Sequence, residues 1–229
     1  VKHRDSLDFF LVKARARVLQ ETTYDGWLQV SKSLETEIGK NPSGYSLAAA
    51  QYGLSVAYEK MNRKDKALEA ARAAKRAIAR DNVYIDKQLS SLTYLTAKTD
   101  ADKNAALTLA KNVTAQYPDS ALSASNYVEL LYQSGRHEEL IRYLRNQSAL
   151  PRANPDYHMY LARSYEALGR KSQAFAATGD MYALLDNAQA AVYQFELAQK
   201  ANDGDFYVMS EIDAKLRQAR QKVLDQKKN

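Results

Sequence analysis

Two stretches of the chain, far apart in the sequence, follow the same pattern of residues. AYEKMNRKDKA occupies residues 57–67 and SYEALGRKSQA occupies residues 164–174. Both read small, Tyr, Glu, any residue, apolar, turn residue, basic, basic, and both end on Ala. The turn residues of successive copies lie 37, 39, 34 and 34 residues apart, at Asp25, Asn62, Ala101, Gly135 and Gly169. A recurring period of this length indicates a repeat protein, in which each copy is one small structural unit.

The period matches the tetratricopeptide (TPR) repeat, a helix-turn-helix unit of about 34 residues. Gly and Pro are scarce, at 8 and 4 residues, and no segment alternates apolar and polar residues as a strand does. We therefore expect an all-α, TPR-like α-solenoid of about eleven to thirteen helices, in antiparallel pairs that form a superhelix. Residues 1–229 are predicted to form a single repeat domain, with units at about 9–42, 45–81, 83–118, 121–151, 155–185 and 186–201 and a capping helix over 205–226.

The spacing of the repeats changes near the end of the chain. Asp186 also matches the turn position, but it lies only 17 residues after Gly169. One helix over 171–185 is therefore predicted to serve as the second helix of one unit and the first helix of the next. The capping helix is predicted to turn its apolar residues inward and its polar residues to solvent, as the end of a solenoid requires for solubility. These apolar residues are Phe206, Met209, Ile212 and Leu216.

Composition narrows the remaining possibilities. The chain has no Cys, which excludes disulfides and Cys-based zinc sites but leaves the cellular compartment open. No apolar run approaches the roughly 20 residues that a membrane span needs, so no span is predicted. Val1 opens directly into charged residues without a signal peptide or an initiating Met, and we expect the chain to be a mature or excised part of a longer protein.

The positive charge is concentrated in one segment. Residues 60–80 carry eight basic and two acidic residues, which equals the net charge of +6 for the whole chain. Such a segment can bind nucleic acid or an acidic partner. It can equally be the solvated outer face of the second helix of its unit. We favour the solvated face and predict no nucleic-acid partner, because no nucleic-acid-binding motif accompanies the charge.

No constellation of residues predicts catalysis. His137-Glu138 begins like the zinc-protease motif H-E-x-x-H, but Ile141 stands where the second His is required. The chain also lacks a Gly-rich phosphate loop and a G-x-S-x-G nucleophile elbow. We therefore predict that this chain is not an enzyme and holds no metal or other cofactor.

The first helix of each TPR unit faces a concave groove, and several such positions here are polar or aromatic. Tyr, Met and Arg are favoured at protein interfaces, so we expect a groove that binds proteins or peptides. For any single Tyr, filling a gap between helices is an equally good explanation. The predicted groove residues are Tyr52, Glu59, Lys98, Glu129, Tyr132, Met159 and Arg163.

Several sequence runs resemble a known family. The runs are SLDFFLVKAR at 6–15, YALLD at 182–186, AAVYQFELA at 190–198, GDFY at 204–207 and SEIDAKL at 210–216. They look like parts of the C-terminal TPR domain of bacterial exported zinc metalloproteases of the β-barrel assembly-enhancing type. The peptidase domain and its zinc ligands are absent from this chain, so no catalytic residue can be transferred from the family to this chain.

The resemblance implies a periplasmic location and a TPR domain that engages outer-membrane β-barrel proteins and their assembly machinery. Zinc would belong to the peptidase domain of the parent protein. Three other interpretations stay open at this point: an independent TPR scaffold without a protease, a nucleic-acid binder that uses the basic segment, and an enzyme in its own right. We favour the protein-binding module of a protease.

Overall fold

The computed structural model describes residues 4–228, and these residues form twelve α-helices and no β-strand. The expectation of an all-α chain with eleven to thirteen helices is confirmed for this part of the chain. The helices are α1 (Arg4–Leu19), α2 (Tyr24–Gly39), α3 (Gly44–Lys60), α4 (Lys64–Ile78), α5 (Val83–Thr96), α6 (Asp100–Gln116), α7 (Ala121–Gln133), α8 (His137–Asn146), α9 (Pro155–Ala167), α10 (Lys171–Leu184), α11 (Ala188–Ala201) and α12 (Phe206–Gln226).

The chain forms two compact units, the first ending at Tyr127 and the second beginning at Val128. We refer to them as unit 1 and unit 2. A single repeat domain over residues 1–229 stays a prediction.

Four turns between helices share one backbone geometry. In each, the second residue after the helix has a left-handed backbone with φ between 59° and 73°. The N–H of the following residue donates to the carbonyl oxygen five positions earlier, at 2.8–2.9 Å, as in the bond from Arg63 to Tyr58. This bond satisfies a carbonyl that the end of the helix would otherwise leave unpaired. The four left-handed residues are Asn62, Gly135, Gly169 and Asp186.

The turn positions predicted at Asp25 and Ala101 are wrong, because both residues lie in the first turn of a helix, α2 and α6 respectively. Here the next helix begins with a side-chain cap. Thr23 accepts a hydrogen bond from the N–H of Gly26, and Thr99 accepts one from Asp102, both at 3.1 Å. A Thr cap needs no left-handed residue, so the Gly or Asn that marks the other turns is missing.

Helix α3 is the centre of unit 1. It packs against α1, α2 and α4, and every residue from Ala48 to Tyr58 except Gln51 is buried. Small side chains on α3 let these neighbours approach closely. A Cβ atom added to Gly53 would lie 3.2 Å from Leu34 and 3.3 Å from Ala14. As a result, most side chains in the middle of α3 are used for packing within unit 1.

Unit 2 is organised around α10, which packs against both α9 and α11. Its bounds match the helix predicted to be shared by two units. The contact with α11 is close because Gly179 has no side chain. A Cβ atom there would lie 2.5 Å from the buried ring of Phe195. The α10–α11 pair therefore tolerates only glycine at this position without rearrangement.

Helix α12 covers α11 and agrees with the predicted capping helix in its bounds. Ile212 and Leu216 are buried as predicted, and Met209 is half-buried. The prediction for Phe206 is wrong, since 79% of this residue is exposed. At about 100° per residue, Phe206 lies roughly 120° around the helix from Ile212, so it falls outside the apolar stripe.

A carboxylate from beyond α11 caps the start of α10. Asp203 accepts hydrogen bonds from the backbone N–H groups of Lys171 (2.7 Å) and Ser172 (2.8 Å). The Ser172 hydroxyl in turn donates to the carbonyl of Ala198 at 2.8 Å. Burial alone would raise the pKa of Asp203, but the hydrogen bonds from Ser172 and Lys171 outweigh it and lower the pKa. This Asp203–Ser172 clasp joins the first turn of α10 to the last turn of α11.

We predict that Gly179→Ala destabilises the protein by roughly 1–3 kcal/mol, because the new methyl group must displace the Phe195 ring in a packed core. Gly39→Ala is the control, since a Cβ atom there meets nothing within 4 Å. It should be neutral or stabilise by about 0.5–1 kcal/mol. Urea unfolding followed by circular dichroism measures both changes. Equal effects of the two substitutions would contradict the packing described for α10 and α11.

We predict that Asp203→Ala lowers the free energy of unfolding by about 1 kcal/mol, as loss of a helix cap usually does. Because the folded-state pKa of Asp203 is lowered, its contribution is complete above the ordinary value of 3.8 and disappears as the pH falls through the folded-state pKa. The difference between wild type and variant should therefore shrink in acid. Asp119→Asn, an exposed carboxylate for which the described residues provide no partner, should change little at any pH.

Candidate functional site

Tyr52, one of the three predicted groove residues of unit 1, lies in the core of that unit. Tyr52 is only 2% exposed, and its ring packs edge-on against Tyr84 with centroids 6.5 Å apart. Burial raises its pKa to about 12, although Arg15 opposes this shift. The assignment of Tyr52 to the groove is therefore wrong. The reason is the packing of α3 against α1, α2 and α4, which makes a position that faces the groove in a regular repeat part of the core here.

Glu59 and Lys98 also differ from their predicted roles. The Glu59 carboxylate accepts a hydrogen bond at 2.8 Å from the amide of Gln88, which donates as well to Ser55. Glu59 is thus part of the link between α3 and α5. Helix α5 ends at Thr96, so Lys98 lies in the following loop and not on a groove-facing helix, and that assignment is wrong.

The four predicted residues of unit 2 lie close together. The Arg163 guanidinium is 6.0 Å from the centre of the Tyr132 ring, within range of a cation–π contact. Tyr132 also packs edge-on against Tyr160, with centroids 6.0 Å apart. Burial raises the pKa of Tyr160, and the negative charge of Glu129 raises it further. This arrangement places Glu129 and Arg163 beside the aromatic pair of Tyr132 and Tyr160.

Arg163 also borders a cleft of about 660 Å³ that is lined by α9, α10 and α11, which we call the α9–α11 cleft. Most of its lining is apolar, and it lies entirely within unit 2. The apolar side chains are Met159, Ala162, Ala174, Phe175, Met181, Leu197 and Ala201. Four charged side chains line it as well: Arg163, Glu166, Lys171 and Lys200.

These four charged side chains have no ionic partner among the described residues, although Arg163 contacts the Tyr132 ring. A second cleft in unit 2, of about 670 Å³, is different. There Lys215 forms ion pairs with Asp180 (2.8 Å) and Glu211 (3.1 Å), so three of its charged side chains are paired with one another. In the α9–α11 cleft, by contrast, the charges remain available to a ligand.

The basic segment of unit 1 is largely engaged in the structure of that unit. Arg63 donates to the Tyr24 hydroxyl at 2.8 Å, and Arg80 donates to Tyr45 at 3.0 Å. Lys75 pairs with Asp86 at 2.7 Å. Two further basic residues have partners as well, Arg72 with Glu69 and Lys66 with the Tyr58 ring. Five of the eight cations in residues 60–80 therefore stabilise unit 1 itself.

Within residues 4–228, no group of three or more His, Asp or Glu side chains is placed to hold a metal ion. His137 Nδ1 lies 3.1 Å from the Ser164 hydroxyl, and His158 Nε2 lies 2.9 Å from the carbonyl oxygen of Arg152. His3 lies outside the described residues. None of the helices in the described part of the chain is both long and apolar enough to cross a membrane.

Most of the cleft is not predicted from the sequence. Of its lining residues, only Met159 and Arg163 belong to the predicted groove, and the sequence does not identify Ala174, Thr178 and Met181 as part of it. Phe175 and Leu197 are not predicted either. The sequence contains one indication of the cleft, the small residues spaced along α10, because small side chains leave room beside α9 and α11. That indication is ambiguous, because small residues equally allow close helix packing.

No known family model matches the sequence, and no curated protein is similar enough in sequence to count as a relative. Among solved structures, a mutant of MamA is similar, with a TM-score of 0.54 and 19% identity over 79% of this chain and 93% of that chain. TTC0263, a thermophilic TPR protein of Thermus thermophilus, gives a TM-score of 0.45 at 16% identity, over 92% of this chain and 99% of that chain. YrrB, described as a TPR protein with an unusual peptide-binding site, gives 0.39 at 13% identity, over 93% and 94%.

At these identities the similarity concerns the fold alone. Together with the twelve helices and the recurring turns, it shows that the chain has an all-α, TPR-like α-solenoid fold.

We predict that Tyr52→Ala and Tyr132→Ala differ sharply in stability. Tyr52 is core, so its truncation should lower the free energy of unfolding by about 3–5 kcal/mol. Tyr132 is half-buried, and its truncation should cost about 1 kcal/mol. Urea unfolding of the two variants measures the difference. A Tyr52→Ala protein as stable as wild type would show that this side chain faces solvent after all.

Proposed function

We propose that this chain is a protein-binding module that holds a segment of a partner protein in the α9–α11 cleft. The observation that carries the proposal is the combination of a mostly apolar lining with four charged side chains that lack an ionic partner within the described chain. Binding pockets are typically concave and apolar, with a few polar groups that orient the ligand. Met159 and Arg163, from the predicted groove, belong to residue types that are enriched at protein interfaces.

The contents of the cleft favour binding over chemistry. General acid-base or nucleophilic catalysis needs a reactive group within hydrogen-bond reach of its activating partner. The Glu166 carboxylate makes no such contact with a described residue, and the Thr178 hydroxyl donates to a backbone carbonyl on its own helix, that of Ala174. We therefore propose a non-catalytic role for this chain, without a metal or other cofactor.

We propose further that the module belongs to a periplasmic zinc metalloprotease of the β-barrel assembly-enhancing type. The support is the resemblance of the runs at 6–15, 182–186, 190–198, 204–207 and 210–216 to the C-terminal TPR domain of that family. In this role the cleft binds outer-membrane β-barrel proteins or components of their assembly machinery. The zinc and the peptidase chemistry would belong to the rest of the parent protein.

The alternative is an independent TPR scaffold with no protease attached. The same cleft supports both roles, so the distinction depends on the whole polypeptide. Immunodetection of the native protein in periplasmic and cytoplasmic fractions, combined with its full-length sequence, separates the two. A periplasmic polypeptide that carries an H-E-x-x-H helix ahead of this chain supports the protease. A native protein without that motif supports the scaffold.

We predict that Met159→Ala combined with Leu197→Ala weakens peptide binding by about tenfold or more, since truncated interface anchors commonly cost 1–2 kcal/mol each. The probe is a set of labelled peptides that cover the sequence of an outer-membrane β-barrel, and fluorescence anisotropy measures binding. Both side chains are only half-buried, so thermal unfolding should show a folded variant.

The matched control is Arg72→Glu combined with Arg76→Glu on α4 of unit 1, which should leave peptide binding nearly unchanged. If this control abolished binding and the cleft variant did not, the binding surface would be the basic face of α4. The proposed site would then be wrong.

A further inference from the structure

The lining of the α9–α11 cleft differs between its two ends. Helices α9 and α10 run antiparallel, so the last turn of α9, with Glu166, lies beside the start of α10, with Lys171. Met159 lies near the start of α9, and Met181 lies near the end of α10. Both are therefore at the opposite end of the cleft. One end of the cleft is therefore charged and the other end is apolar and rich in methionine.

The third helix, α11, also has one end of its cleft-lining segment at the charged end. The Ser172 hydroxyl donates to the carbonyl of Ala198, so the last turn of α11 lies beside the first turn of α10. Lys200 consequently joins Lys171 at the charged end. Two lysines thus face a single lining carboxylate there, that of Glu166, while Arg163 lies between the two ends on α9.

A further carboxylate, that of Asp203, lies at the start of α10. It keeps its negative charge near neutral pH, since hydrogen bonds from the backbone N–H groups of Ser172 and Lys171 lower its pKa, but its partners are these N–H groups and not the lysine side chains. Neither the Lys171 nor the Lys200 side chain pairs with an acid in the described chain. A carboxylate of a ligand would therefore be attracted to this end, and a lysine or arginine would be repelled.

The length of the cleft limits the ligand. Lys171 and Met181 are ten residues apart on α10, which corresponds to about 15 Å at a rise of 1.5 Å per residue. An extended peptide covers that distance with roughly five residues at about 3.3 Å each.

We propose that the cleft recognises a short extended segment with a two-part pattern, a large apolar side chain about five residues away from carboxylates on either side of it in the sequence. The apolar side chain lies between Met159 and Met181, where its removal from water supplies most of the affinity. The carboxylates lie at Lys171 and Lys200 and select against basic segments. This inference rests on the proposed function, because it specifies the partner of the same cleft.

Three synthetic peptides of about ten residues, blocked at both termini, test the pattern at the spacing given by an extended chain. The first carries a Phe-Leu pair and an Asp-Glu pair. The second replaces Asp-Glu with Lys-Lys, and the third replaces Phe-Leu with Ser-Gly. Fluorescence anisotropy with wild-type protein should show the first peptide binding about tenfold or more tightly than either of the others. Its affinity should fall as salt is added.

Lys171→Gln combined with Lys200→Glu tests whether these two residues set the preference. The variant leaves one cation against two carboxylates in the cleft, so it should favour the Lys-Lys peptide over the Asp-Glu peptide. Lys60→Glu combined with Lys64→Gln makes the same change of net charge at exposed residues of unit 1. This control should retain the wild-type preference. An identical loss of preference in the control would overturn the assignment to Lys171 and Lys200.

The remaining outcomes separate this inference from the proposed function. If the acidic and basic peptides bind wild type equally and Met159→Ala with Leu197→Ala weakens both, the cleft is a binding site but the charge selectivity is refuted. If wild type binds none of the three peptides but does bind β-barrel peptides in the cleft, the proposed two-part pattern is wrong. If no peptide of any kind binds, the proposed function fails as well.

Discussion

The close contact between α10 and α11 is the constraint on which the architecture of unit 2 depends. It is made possible by Gly179, which admits the ring of Phe195, and it is held at one end by the clasp between Asp203 and Ser172. With one side of α10 against α9 and another against α11, its remaining face is left to line a cleft. The α9–α11 cleft thus results from the packing of α10 against two neighbouring helices.

Much of the fold could be predicted from the sequence, because most TPR units mark their turns with particular residues. A left-handed residue after a helix favours Gly or Asn, and the pattern around Asn62, Gly135 and Gly169 was readable for that reason. The turns before α2 and α6 were misplaced because Thr caps them without a special backbone conformation. Phe206 was misassigned because a single apolar residue at the start of a helix fits several apolar stripes almost equally well.

The site was only partly predictable, and the failures have one cause. Counting back from a turn gives the helix face on which a residue lies within its own repeat. It does not show how many neighbouring helices cover that face. Tyr52 is on the expected face of α3, yet α3 packs against α1, α2 and α4 and the residue is core. Met159 and Arg163 are on the corresponding face of α9, where a cleft remains open. The same distinction applies to charged residues. Lys75 forms an ion pair within unit 1, whereas the side chains of Lys171 and Lys200 form no ion pair with a described residue. Only the three-dimensional structure shows which side chains are buried or paired. These two properties separate residues that stabilise the fold from residues that can contact a ligand.

The four methionines of the chain provide the most direct test of the central claim, that partners bind in the α9–α11 cleft. Met159 and Met181 line the cleft, Met61 is buried in unit 1, and Met209 packs outside the cleft lining against the core formed by α10, α11 and α12. NMR spectra of protein labelled with ¹³C at the methionine methyl groups should therefore show four signals. On addition of the peptide with Phe-Leu and Asp-Glu pairs, we predict that the signals of Met159 and Met181 shift while those of Met61 and Met209 stay in place. Saturable binding that shifts Met61 or Met209 and leaves the two cleft methionines unchanged would contradict the claim.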